Sequence, residues 1–450
     1  MPFSCEACGH RTIKWYGRCP SCGSWDSLSE ARSEGEGSAA GGSAAWIGEP
    51  VRPLREIDLK DIARVSSGIP EFDRVLGGGL VPGAVILFGG EPGIGKSTLL
   101  LQVARSLAET AGNVLFVSGE ESEGQVKMRA DRLGIDGERL YLLAEQALPR
   151  IEAAIEEVNP STLIVDSIQT VRAAAGEGAA GGPRQLRAAC AELVRLAKGR
   201  NLPTFLVGHI TKDGAFAGPK TIEHLVDVAV YLEGSRGEDV RILRSVKNRF
   251  GPTNEAAVFE MTAEGLIEID DPSSFFLETH KEEARPGSIV VPILEGSRPI
   301  LVELQALVSP TGGYGVPQRR CTGLDVNRVL LLLAVIEKRM SVQIGGADVY
   351  LSVAGGLDVR ERAADLGIVI AILSSLRNRA VPAKMTAVGE VGLSGEIRGV
   401  RKLGERIVEA RKLGYERILV PAGGRLPDID GIDIAPIESI DEAMVQMGLG

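Results

Sequence analysis

The stretch that most constrains what this chain can fold into is GEPGIGKST, residues 90–98. It lies between AVILFGG (84–90), an apolar run of strand length, and LLLQVARSLAET, where apolar residues recur at helical spacing. A strand, a glycine-rich turn of the form GxxxxGK[ST] and a helix are the context in which this pattern cradles phosphate. Gly90, Gly93 and Gly95 let backbone N–H groups turn inward on phosphate oxygens, and Glu91, Pro92 and Ile94 complete the loop. The first turn of the helix adds its partial positive charge. Lys96 is expected to reach the β- and γ-phosphates of ATP, and the Ser97 hydroxyl, next to Thr98, to hold Mg2+.

Other strands of the same kind follow. NVLFVSG (113–119), STLIVDS (161–167) and PTFLVGHI (203–210) alternate with helical patterns over 96–110, 122–133, 149–158 and 183–199. That alternation predicts a parallel sheet covered on both faces, with its ligand at the carboxyl ends of the strands. Glu120, Asp166 and His209 all fall at such ends. Asp166, closing four apolar residues, is expected to hold Mg2+ directly or through water. A second carboxylate must orient or deprotonate the attacking water, and Glu120 and Glu121 are the candidates. Either acid would equally suit a helix N-terminus. His209 either senses the γ-phosphate or simply ends its strand.

The N-terminus carries a different chemistry. Cys5, Cys8, Cys19 and Cys22 form C-x2-C-x10-C-x2-C, a spacing that brings four thiolates around one Zn2+. So short a segment cannot bury enough apolar surface alone, and the metal is expected to supply its folding energy. His10, Cys190 and Cys321 have no place in that set. Beyond Glu30, ARSEGEGSAAGGSAAWIGEP reads as a flexible tether in which Trp46 is a possible anchor.

Composition narrows the setting. The opening MPFSCEACGH has no apolar core of a signal peptide, and the runs from Val329 and Leu366 are too short to span a bilayer. A cytosolic protein with no membrane partner is expected, its six cysteines serving as metal ligands or thiols. A net charge of −10 excludes a uniformly basic coat but not a local basic channel.

SVKNRFGP (245–252) ends a late strand, DVRILRSVKN, and places Lys247 and Arg249 at period two on one face. Three readings are open. The cations clasp a phosphate across a subunit interface, they contact DNA with Phe250 as a stacking surface, or they solvate a strand edge.

Taken in order, the cysteine pattern, GEPGIGKST, FVSGEES, LIVDSIQT and KNRFG resemble the bacterial RadA (Sms) family of DNA repair proteins over essentially the whole chain. The resemblance implies an α/β, RecA-like core and a DNA-stimulated ATPase assembled as a hexameric ring. It further implies branch migration with helicase-type activity on branched recombination intermediates, alongside RecA. FVSGE then puts Glu120 at the water-activating position, and in RecA-like rings, where ATP sits at a subunit interface, Lys247 and Arg249 are candidates to complete a neighbour's site or to couple ATP to DNA. The Gly-rich stretches RAAAGEGAAGGPRQ and TKDGAFAGPK fall where RecA has its DNA-binding loops, with Lys212 and Lys220 as the cations that would meet single-stranded or branched DNA.

After ETHKEEARPGS (278–288), the C-terminal third alternates strands with helices and resembles the α+β peptidase domain of Lon proteases, in GEVGLSGEIRGVRKLGERIVEARKLG above all. Position for position, Lon's serine falls on Asp365 and its lysine on Gly404, so peptidase chemistry is lacking. Ring assembly and a basic surface are the expected uses, with Arg319, Arg320, Arg398, Arg401, Lys402 and Arg406 as candidates. The expected domains are a zinc knuckle (1–30), a linker (31–53), the ATPase core (54–277) and the Lon-like domain (285–450). An ATP-gated signalling or scaffold ATPase, and more remotely an ATP-dependent protease, are the competing classes.

Overall fold

A computed structural model describes residues 3–5, 11–12, 17–18, 20, 22, 24, 28–30, 53, 55, 63–173, 182–209, 222–234, 239–277, 284–311, 316–423 and 428–450. The chain forms two compact units, Met1–Ala45 and Trp46–Gly450. In the first, β1 (Phe3–Cys5) pairs antiparallel with both β2 (Arg11–Thr12) and β3 (Leu28–Glu30). Cys5 ends β1 and Cys22 lies in an exposed turn, its Sγ 3.4 Å from Ser24 Oγ, while Cys8 and Cys19 lie outside the described residues.

The second unit opens with α1 (Pro70–Leu76), β4 (Val85–Gly90), α2 (Lys96–Thr110), β5 (Val114–Ser118) and α3 (Glu123–Arg132). It continues through β6 (Leu140–Ala144), α4 (Leu148–Val158), β7 (Thr162–Asp166), α5 (Pro183–Arg200), β8 (Thr204–His209) and β9 (Val228–Glu233). A meander of β10 (Val240–Asn248), β11 (Ala256–Thr262) and β12 (Gly265–Glu268) then leads into α6 (Pro272–Leu277). These strands make one nine-stranded sheet in the order β12-β11-β10-β9-β4-β8-β7-β5-β6, parallel from β9 to β6 and antiparallel across the meander.

The inner parallel strands β4, β5 and β7 are buried on both faces, which is why they read as unbroken apolar runs. Phe72, Phe88 and Phe205 pack on one side of the sheet, and Leu87, Leu115 and Leu206 with α4 and α5 on the other. Helices and strands thus stand where periodicity placed them, with ends that move by a residue or two.

The late strand departs from simple alternation. β10 carries an irregularity in its pairing to β9 between Ser245 and Lys247, and Arg249 lies beyond its end. Burial accordingly runs Ser245 buried, Val246 exposed, Lys247 half-buried, Asn248 buried and Arg249 exposed. The irregularity falls before Lys247, and beyond it Lys247 and Arg249 stand away from the core on either side of buried Asn248, as period two places them.

The C-terminal half contains β13 (Ser288–Glu295), β14 (Arg298–Pro310), β15 (Arg319–Thr322), α7 (Val326–Arg339), β16 (Ala347–Val353) and α8 (Asp365–Leu376). After these come β17 (Met385–Ala387), β18 (Glu390–Val391), β19 (Ile397–Arg398), α9 (Leu403–Lys412), β20 (Arg417–Pro421), β21 (Asp433–Ile437) and α10 (Ile440–Gln446). One sheet runs β13-β14-β16-β15, another β17-β20-β21 is parallel, and β18-β19 is a small hairpin. α8 is buried almost throughout: Ser374 Oγ accepts from Gly287 N at 2.9 Å, and Ser375 Oγ from Val308 N at 2.9 Å. No helix among the described residues is long and apolar enough to cross a membrane.

Candidate nucleotide site

β4 delivers the loop 90–95 to the carboxyl edge of the sheet, where α2 begins at Lys96. Gly95 caps α2 at φ 114°, a conformation open to glycine, and a Cβ there would lie 2.6 Å from Met261 Cε. The first turn of α2 carries no acidic residue, so nothing in it offsets the positive end of the helix dipole. A cleft of about 400 Å3 opens here, bounded by Pro92, Gly93, Gly95 to Thr98, Ser118, Glu120, Glu121, Arg129, Arg132, Asp166 and His209.

Lys96 is 4 % exposed, and its Nζ donates to the carbonyls of Gly90 (3.0 Å) and Glu91 (2.9 Å). The same nitrogen lies 3.0 Å from Nδ1 of His209, whose Nε2 is 3.2 Å from Glu120 Oε1. His209 thus stands between the P-loop lysine and Glu120. Burial lowers the Lys96 ammonium below its usual range, against the pull of Asp166 and Glu120.

Ser97 Oγ donates to Asp166 Oδ2 at 2.5 Å, so the two oxygen donors expected of a Mg2+ site meet in the cleft. A hard cation takes such ligands, and the pair fits it. Burial raises the Asp166 carboxyl above the carboxylate range, although the Ser97 hydrogen bond works in the opposite direction.

The two neighbouring glutamates are in different surroundings. Glu121 is held in a fork by Arg129 at 2.7 and 2.6 Å. Glu120 leaves 42 % of its side chain exposed at the cleft and accepts from Ser167 Oγ. Both line the cleft, but Arg129 occupies Glu121 while Glu120 is the more exposed of the two. Neither Ser167 nor Arg129 is legible as a site residue in the sequence, since both act through partners.

Lys247 and Arg249 lie at the other end of the sheet. Asn248 pairs with Val228, and Val228 with Ile86, at the start of β4 rather than at its loop end. The length of β4, roughly 17 Å, separates them from their own P-loop. Lys247 Nζ donates to the carbonyls of Glu223 (2.7 Å), His224 (3.3 Å) and Val226 (2.8 Å). Arg249 keeps 57 % of its side chain exposed and touches Asp227 Oδ1 at 3.3 Å.

Asp227 is the hub of this end. It is buried, and its Oδ2 accepts from Val85 N at 3.0 Å and Lys198 Nζ at 2.6 Å. Its signal in the sequence is a single acid inside the apolar run LVDVAV. Phe250 packs half-buried against the core with the Lys198 ammonium 5.9 Å from its ring centroid, so its ring is packed rather than offered for base stacking.

Other expected contacts fare unevenly. Lys212 and Lys220 lie outside the described residues. Arg406 is no surface cation: it is 1 % exposed, forks onto Glu361 at 2.7 and 2.6 Å and donates to Pro292 O at 2.6 Å. Asp365, at the position matched to the Lon serine, is buried and ion-paired to Arg328.

Comparison with known proteins places this geometry. A family model described as AAA domain matches residues 50–215, and one described as rubredoxin metal binding domain matches 3–30. A third, described as subunit ChlI of Mg-chelatase, matches 349–424. DNA repair protein RadA of Bacillus subtilis is 46 % identical over 449 residues, covering 98 % of this chain and 97 % of its own. The chain belongs to the RadA family of DNA repair ATPases. Its RadA relatives from Listeria monocytogenes (45 % over 446 residues) and Streptococcus pyogenes (46 % over 447) likewise cover 98 % of this chain and 97 % of their own. Among solved structures, a KaiC-like protein from Pyrococcus horikoshii is 23 % identical with a TM-score of 0.40, covering 46 % of this chain and 99 % of that one. Membership of the RadA family agrees with the resemblance carried by the motifs from the N-terminal cysteines to KNRFG.

Proposed function

We propose that the protein hydrolyses ATP at sites shared between copies of itself and uses the cycle to process branched recombination intermediates, as a hexameric ring acting with RecA. The observation that carries this reading is the position of KNRFG, a strand's length from its own P-loop. Cations placed there serve a nucleotide only if it belongs to another copy, which makes hydrolysis conditional on assembly. Lys96 binds and orients the phosphates, and Glu120 orients the attacking water and takes its proton. Ser97 and Asp166 would hold Mg2+, which neutralises charge on the phosphates when bound. Arg249 is the reaching cation. Lys247, seated on three carbonyls, is its companion and fixes the 223–227 turn from which both work.

Cys5, Cys8, Cys19 and Cys22 would hold Zn2+ in the N-terminal unit, a donor set suited to a structural site. Lys212 and Lys220 would meet single-stranded or branched DNA, and the protein would work in the cytoplasm. The C-terminal half serves assembly and not proteolysis, since Asp365 and Gly404 stand where a serine and a lysine would be needed.

The test is ATP hydrolysis against protein concentration, with and without single-stranded DNA, for the wild type, Lys96→Ala, Arg249→Ala and a mixture of the two variants. Each variant alone should be inactive, and the mixture should recover activity, because intact Lys96 and intact Arg249 meet at mixed interfaces. A mixture that stays inactive while DNA stimulates the wild type would remove Arg249 from the shared site. An ATPase indifferent to DNA would point instead to a signalling or scaffold role.

A further inference from the structure

The P-loop is held by a side chain that its own motif does not contain. Arg241, on β10 and 8 % exposed, donates from Nε to the carbonyl of Ile94 at 3.1 Å. A second donor of the same guanidinium goes to Val240 O at 2.8 Å. Gly234 makes the room: a Cβ there would lie 2.9 Å from Arg241 Cδ. Ile94 stands between two residues of positive φ, Gly93 at 81° and Gly95 at 114°. It lies two residues before Lys96, the first residue of α2, and its carbonyl belongs to no helix or sheet ladder.

In a trans peptide the carbonyl of one residue and the N–H of the next point in opposite directions. The bond that draws the Ile94 carbonyl toward β10 therefore turns the Gly95 N–H away from the strand, toward the cleft that Gly95 lines. Without it, this peptide is free to turn about its Gly95 flank, where the backbone already sits at a glycine φ of 114°. We propose that Arg241 is a positioning residue for nucleotide binding, acting through the Ile94–Gly95 peptide to pre-orient a phosphate-binding N–H. The inference rests on the cleft being the nucleotide site, and it adds to that site a determinant 145 residues downstream of Lys96 (241 − 96).

The experiment compares the full chain with Arg241→Met and Arg241→Gln. It measures ADP affinity by calorimetry with Mg2+ present, KM and kcat for ATP, and the urea midpoint of each protein. Arg241→Met removes the donor at similar volume. It should weaken ADP binding and raise KM about tenfold, the size of a lost charged hydrogen bond, with kcat at saturation little changed. Arg241→Gln retains an amide donor and should recover most of that loss. A well-folded Arg241→Met that binds ADP like the wild type would overturn the proposal, as would a collapse of kcat at unchanged KM. Should Arg241→Met fail to fold, Gly234→Ala crowds the same guanidinium, and undiminished ADP affinity there would overturn it equally. Failure of the wild-type chain to bind ADP would overturn the nucleotide reading and this inference with it.

Discussion

Single residues here divide into those that offer chemistry and those that hold the offer still. Gly95 belongs to the second group. An alanine at φ 114° would be strained by about 1–3 kcal/mol and would crowd Met261, so Gly95→Ala should weaken ADP binding at least tenfold while α2 still forms. Wild-type affinity would mean that the loop relaxes freely. Arg406 makes the same point in the core. Removing its partner by Glu361→Ala leaves a buried guanidinium with carbonyls alone, and should cost about 2–4 kcal/mol by urea unfolding, less than a fully buried pair because Glu361 is part-exposed. An unchanged midpoint would show that the backbone carbonyls suffice. Glu120 and Glu121 were equivalent as letters until a resemblance chose between them. Arg129, brought in from α3, separates them physically by occupying one and leaving the other at the cleft.

Among the elements, β10 does the most joining. Its Arg241 reaches the P-loop, its Arg244 reaches Glu233 and Glu295, and its end carries Lys247 to the 223–227 turn. One strand therefore touches the nucleotide loop, the C-terminal half and the cations proposed to act on a neighbour. Arg244→Ala would leave Glu295, which is 4 % exposed, without that partner, and should lower stability by about 2–4 kcal/mol. Chemical denaturation is the check, and a loss below about 0.5 kcal/mol would mean that the pair is replaced by water at no cost. α7 is fixed more locally: Asp325 accepts from Asn327 N, and Asp325→Ala should cost about 1 kcal/mol as a lost N-cap.

At the scale of the whole molecule, the boundary between the sheet of the ATPase core and the C-terminal half is a shared core and not a linker. Ile242, Ala256 and Val258 of the meander pack with Ile293, Ile300 and Val302, while Leu243, Ala257 and Phe259 pack inward against the nucleotide-binding layer. Arg74, Glu71, Glu255 and Arg298 form an ion-pair network across the same boundary. Residues 46–450 should therefore unfold in one cooperative urea transition. A fragment ending at residue 277 should be less stable than the full unit, because its meander would expose that apolar face. Two separate transitions in the full chain would show the halves to be independent. If the Gly-rich stretches line a channel, Lys212→Ala with Lys220→Ala should abolish DNA stimulation of ATP hydrolysis and spare the basal rate.

The sequence by itself determined what is local. The P-loop, the parallel strands and the cysteine pattern are set by residue type and spacing, because phosphate, metal and strand periodicity each demand a fixed arrangement over a few residues. Tertiary structure decided what depends on pairing across the sheet. Burial turned Arg406 from a surface candidate into a core ion pair, and the register of β9 and β10 put KNRFG at the far end from its own P-loop. Arg241 reached Ile94 through the same pairing. None of this has a signature in one dimension, since a side chain's partner is fixed by which distant strand lies beside its own, and that choice is made only when the sheet closes.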